Sequence, residues 1–89
     1  MPPGGVSASD GAYTNRVKVS WEAVSGAQYY RVYRSESKSG AKTLVGQTKY
    51  LYRNDYTAVA GQTYWYWVTA CTDAGCSKYS AVDIGWLRP

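Results

Sequence analysis

The sequence predicts an all-β protein, a seven-stranded antiparallel β-sandwich, and three observations carry that expectation. From Tyr64 to Cys71 two residue sets alternate, Tyr64, Tyr66, Val68 and Ala70 against Trp65, Trp67, Thr69 and Cys71, a period of two in aromatic and β-branched residues. Further short stretches of the same character recur along the chain, separated by turn residues. No stretch carries a convincing helical pattern. At 89 residues, with 45% apolar and 18% charged residues, the chain is one small domain, residues 1–89, with a single core.

The elements follow in order. Val6-Ser7-Ala8-Ser9 is a short first strand, stopped by Asp10-Gly11. Arg16 to Glu22 sets Val17, Val19 and Trp21 on one side and Arg16, Lys18, Ser20 and Glu22 on the other, a strand with one wet face. After a turn at Ser25-Gly26, Tyr29 to Arg34 places Tyr30 and Val32 inward and Tyr29, Arg31 and Tyr33 outward. Ser35 to Gly40 reads as a polar loop, Thr43-Leu44-Val45 as a short strand, Lys49 to Tyr56 as another and Ala58 to Gly61 as a corner. The aromatic strand comes next, and the last strand runs from about Cys76 towards Trp86. Residues 1–4 and 88–89 are expected to be flexible ends.

The two cysteines allow one intramolecular pairing, Cys71 with Cys76. They flank Thr72-Asp73-Ala74-Gly75, a connection with the residues of a hairpin loop, so they face each other across adjacent strands. Closing so short a loop contributes only ~2 kcal/mol in the chain-entropy account, which pins the turn without deciding whether the domain folds. A disulfide implies an oxidising compartment. Two thiols with no histidine in the chain do not complete a zinc site, and the spacing is not Cys-x-x-Cys.

Charge and hydropathy exclude several functions. Ten basic against six acidic residues give +4, and the basic residues are spread along the chain, whereas nucleic-acid binders concentrate them on one face or arm. No apolar run approaches the roughly 18 residues of a membrane span. Neither nucleic acid nor a membrane is an expected partner. The start, Met1-Pro2-Pro3-Gly4-Gly5, lacks the basic and apolar regions of a signal peptide, and the chain reads as a piece excised from a longer secreted protein.

Trp21, the Tyr30-Arg31-Val32-Tyr33-Arg34 strand, the Ala58-Val59-Ala60-Gly61-Gln62-Thr63-Tyr64 corner and Val68-Thr69-Ala70 ahead of Gly75-Cys76-Ser77 together resemble a fibronectin type III domain. The resemblance covers nearly the whole chain and implies an immunoglobulin-like sandwich. It is nearest to the bacterial branch that accompanies catalytic modules in secreted polysaccharide-degrading enzymes. It implies that Trp21 is the core tryptophan and that the Tyr64 hydroxyl bonds back to the chain at the corner between the fifth and sixth strands. The family's Leu-x-Pro-Gly corner is here Ala58-Val59-Ala60-Gly61, which implies a softer corner.

A larger departure lies in Lys49-Tyr50-Leu51-Tyr52-Arg53-Asn54-Asp55-Tyr56. Counted back from Tyr64, position 53 is where the family places an inward aromatic, and a buried arginine there needs a partner or an exit to water. The segment reads as a strand rewritten on an ordinary scaffold, and Trp65 and the Gly85 to Pro89 tail share that character. The chain is accordingly read as altered by design or selection, in the manner of an engineered monobody. The alternative is natural drift, with the strand sliding by one residue to bury Tyr50 and Tyr52.

Catalysis is not expected. The chain has no histidine, and its acids Asp10, Glu22, Glu36, Asp55, Asp73 and Asp83 fall by pattern in turns, loops or solvent-facing positions. No glycine-rich phosphate loop, metal cluster or activated nucleophile is visible, so no metal or other cofactor is expected. Binding by outward aromatics remains. One candidate surface is the sheet face of Tyr29, Arg31, Tyr33, Trp65 and Trp67, with Arg31 lying over a tryptophan ring; the other is Tyr50, Tyr52, Arg53 and Tyr56. The expected partner is a protein, or a second copy of the chain, and the alternative is a polysaccharide met by an accessory or spacer domain.

Overall fold

The computed structural model describes residues 2–88. Eight short strands form two antiparallel sheets: β1 (Ser7–Ala8), β2 (Val17–Ser20), β3 (Tyr29–Ser35), β4 (Thr43–Thr48), β5 (Tyr52–Asp55), β6 (Tyr64–Thr72), β7 (Gly75–Cys76) and β8 (Asp83–Gly85). The small sheet has the order β1-β2-β5, and the large one β4-β3-β6-β7, with β8 also paired to β6. The predicted seventh strand is thus present in two pieces on one neighbour. Between them Ser77 and Ser80 take over the ladder. The Ser77 N–H donates to the Ala70 carbonyl at 2.8 Å while its Oγ accepts from the Ala70 N–H at 3.0 Å, and Ser80 does the same with Val68 at 2.9 Å each. The chain can therefore leave regular strand geometry without orphaning the backbone of β6.

The alternation read from sequence sets the core. Val17 and Val19 of β2, Tyr30 and Val32 of β3 and Tyr64, Tyr66, Val68 and Ala70 of β6 pack with Ala8, Trp21 and Leu87 between the sheets. Each fully buried valine stabilises by roughly 1.5–3 kcal/mol. The Trp21 ring lies tilted against Tyr30, centroids 5.5 Å apart, as the resemblance implied. The sheets approach closely at Gly85, where a Cβ would meet Val17 Cγ1 at 2.8 Å and both Ala8 Cβ and the Ser9 carbonyl at 2.9 Å. Only glycine admits that contact.

The corner before β6 is tied as expected, the Tyr64 hydroxyl accepting the Val59 N–H at 3.0 Å. Tyr64→Phe is expected to cost about 1 kcal/mol, a melting-temperature loss of roughly 4–8 °C for a domain of this size, read by calorimetry. An unchanged melting temperature would remove the corner bond from the stabilising set.

Cys71 and Cys76 stand opposite each other in the β6–β7 hairpin and are joined by a disulfide. Both ends expected to be flexible carry hydrogen bonds where they are described. Gly4 accepts the Glu22 N–H at 3.0 Å, the Arg88 N–H reaches the Tyr13 carbonyl at 2.8 Å and its Nε reaches the Gly11 carbonyl at 3.0 Å. Met1 and Pro89, part of the same expectation, lie outside the described residues.

Candidate recognition surface

The outer face of the large sheet carries the first predicted residue set. In the β3–β6 register Tyr29 is opposite Cys71, Arg31 opposite Thr69, Tyr33 opposite Trp67 and Ser35 opposite Trp65, so all five candidates share that face. They do not form one open patch. Trp67 is only 7% exposed. The Lys42 ammonium sits 4.4 Å over its ring and 4.8 Å over that of Tyr79, and Tyr79 meets Tyr33 edge-on at 5.1 Å. Arg31, expected over a tryptophan, lies instead 5.6 Å over Tyr29, its neighbour on the same strand face. Trp65 is half-buried beside Ile84 of β8. A tryptophan ring covered by a lysine and 7% exposed is packing rather than an open platform for a ligand to stack on.

The second predicted set is arranged otherwise. The register Ser20 to Tyr52, Val19 to Arg53, Lys18 to Asn54 and Val17 to Asp55 puts Arg53 and Asp55 on the inward face, beside the core valines, and Tyr52 and Asn54 outward. The one-residue slide has not occurred. Tyr50 is 71% exposed, Tyr52 46% and Tyr56 63%. The Tyr50 and Tyr52 rings stack at 6.3 Å, and the Lys18 ammonium stands 5.0 Å over Tyr52. Arg53 solves its burial by reaching across to the opposite sheet, where its Nη1 donates to the Gln47 carbonyl at 3.3 Å. Gly46 makes room for it, since a Cβ there would stand 2.5 Å from Nη2. Thr48, Tyr50, Tyr52, Arg53, Asn54 and Tyr56 line a shallow concavity of ≈ 320 Å³.

Asp55 overturns the expectation that every acid is solvent-facing or in a loop. It is 1% exposed, and its carboxylate accepts from Arg34 Nη1 at 2.9 Å, from the Tyr66 hydroxyl at 2.8 Å and from the Thr57 N–H and hydroxyl at 3.0 and 2.6 Å. Burial alone would raise its pKa, but the Thr57, Tyr66 and Arg34 hydrogen bonds outweigh that and hold it below the ordinary aspartate value. Burial, and then the Asp55 charge, push the Tyr66 hydroxyl well above the ordinary tyrosine range. Arg34 also lies 4.6 Å over the Tyr64 ring, so the network ties β3, β5 and β6 together beside the tyrosine corner. An anion already fully occupied by fixed donors is a structural group rather than an acid or base. Asp10 is held above its ordinary pKa by partial burial and then by Asp83, whose Oδ2 accepts the Ala8 N–H at 2.7 Å.

The two-sheet arrangement, with three strands facing a β4-β3-β6-β7 sheet and a tyrosine corner between β5 and β6, defines an immunoglobulin-like β-sandwich. No family model and no curated protein matches the chain. Solved structures do. A Fn3-like protein from Clostridium thermocellum superposes with a TM-score of 0.88 at 27% identity, covering 98% of this chain and 92% of that one. The structure of FN3tt gives 0.82 at 20% identity over 99% of this chain and 95% of that one, and titin domains A168–A170 give 0.81 at 24% over 93% and 30%. The fold is that of a fibronectin type III domain.

Proposed function

We propose that this domain is a non-catalytic recognition module of a secreted protein, and that its contact surface is the tyrosine segment 48–56 rather than the tryptophan-bearing sheet face. The carrying observation is that Tyr50, Tyr52 and Tyr56 stand open around one concavity while Trp67 is packed away. Tyrosine offers large contact area at low entropy cost, which makes such a cluster suited to a protein partner. The disulfide and the soluble sandwich fit an extracellular setting, and among the described residues no helix is long and apolar enough to cross a membrane. The match between Arg53 and Gly46 on opposite sheets supports a segment fitted to its own scaffold, whether by nature or by selection.

The test sets the wild-type domain beside a Tyr50→Ser, Tyr52→Ser, Tyr56→Ser variant, in peptide-display selection and in affinity electrophoresis through xylan, cellulose derivatives and soluble chitin. Selected peptides are expected to bind the variant at least tenfold more weakly, with no retardation by any polysaccharide. Retardation lost in the variant would make the surface a carbohydrate site. Peptides indifferent to the three changes would move the contact surface elsewhere.

A further inference from the structure

We infer that the tyrosine surface recognises its partner by strand addition, taking an extended acidic segment as a fourth strand on the open edge of β5; this rests on the preceding reading of segment 48–56. The order β1-β2-β5 leaves β5 at the edge of the small sheet. The Trp21 N–H donates to the Leu51 carbonyl at 3.1 Å, which fixes the phase of the ladder. With Trp21 opposite Leu51 and Val19 opposite Arg53, the odd positions 51, 53 and 55 turn their backbone groups towards β2. The N–H and C=O of Tyr52 and Asn54 therefore point away from the sheet. They form a short unpaired edge of the kind that pairs with another chain.

Polar groups beside this edge are also unfilled. The Nε of Arg53 and the Oδ1 of Asn54 are buried without a hydrogen-bond partner among the described residues, and both residues line the same concavity. The Asn54 acceptor, on the outward face next to the open edge, suits a polar main chain better than an apolar plug. The rings of Tyr50, Tyr52 and Tyr56 then supply the side-chain contact.

Charge selects the occupant. Lys18 stands over Tyr52, Lys49 is exposed next to Tyr50, and Arg53 lies behind the edge. No residue lining the concavity is acidic, and Asp55 within the strand faces inward, neutralised by Arg34. A second copy paired edge to edge would bring these cations against one another on a chain that already carries +4. An acidic strand would meet them with opposite charge.

The experiment uses the isotope-labelled intact domain and three blocked octapeptides, EVETEVET, its lysine counterpart KVKTKVKT, and EVEPEVET, in which proline removes a ladder N–H. The acidic peptide is expected to slow amide exchange at Tyr52 and Asn54 at least tenfold, the lysine peptide to leave both unchanged, and the proline peptide to bind at least tenfold more weakly. Lys18→Glu with Lys49→Glu, both exposed positions, is expected to abolish the response without altering the melting temperature appreciably. Millimolar acidic peptide that leaves both amides unprotected overturns strand addition. Protection appearing with protein concentration alone overturns the acidic partner in favour of a second copy. If display-selected peptides still depend on the three tyrosines while the two amides stay unprotected, the recognition surface stands and only the strand-addition mode falls.

Discussion

Asp55→Ala is expected to destabilise the domain by about 3 kcal/mol and to lower the melting temperature by roughly 10–25 °C, measured by calorimetry or urea unfolding at neutral pH. The substitution removes the acceptor shared by Arg34, Tyr66 and Thr57, strips the guanidinium of its counter-charge while leaving it the Thr57 hydroxyl at 2.7 Å, and leaves the buried Tyr66 hydroxyl unpaired at the junction of three strands. Arg34 is 20% exposed and keeps some access to water, which sets the loss at the low end for a broken buried pair. The pH dependence supplies a second readout. Asp55 is held below the ordinary value of about 3.9, so its contribution is fully present above pH 4 and is lost as the pH falls through the lower folded-state value. The stability gap between wild type and Asp55→Ala is therefore expected to narrow below about pH 4. A gap that stays constant down to pH 2 would remove the carboxylate charge from the explanation, leaving only lost packing.

Asp55 was legible in part. The alternation that carries Arg53 inward carries position 55 inward as well, and that signal stood in the sequence. What it lacked was the partner set, because Arg34 and Tyr66 come from the other sheet and are brought together only by the sandwich. The same limit applies to Arg53, whose exit runs over Gly46 at the edge of β4. Strand positions and faces were readable because period two is a property of the backbone, and the tyrosine corner because its residues lie within one short segment. The state of Trp67 was not. Its outward direction follows from alternation, but its cover comes from Lys42, which lies outside the strands and reaches over the ring. Contacts supplied by loops leave no periodic trace.

Trp67→Ala is expected to cost about 3 kcal/mol, a loss of the size seen for truncating a core aromatic, although the residue lies on the outer face of its sheet. The ring is 7% exposed, so its removal leaves a void beneath Lys42 and beside Tyr33, its cross-strand partner. Tyr50→Ala, by contrast, is expected to fall within about 0.5 kcal/mol, because a side chain 71% exposed removes little surface from water. Urea midpoints for the two variants, measured side by side, decide the matter. Equal and small losses would mean that the cover over Trp67 opens readily and that the tryptophan is available to a ligand, returning the sheet face to contention as a binding surface. The unequal result carries a consequence for every binding assay on this domain. A variant lacking Trp67 would be assayed on a weakened scaffold, whatever surface the partner touches, whereas the open tyrosines can be removed one by one on an intact one. Recognition is therefore to be mapped with Tyr50, Tyr52 and Tyr56, where loss of binding and loss of fold are separable.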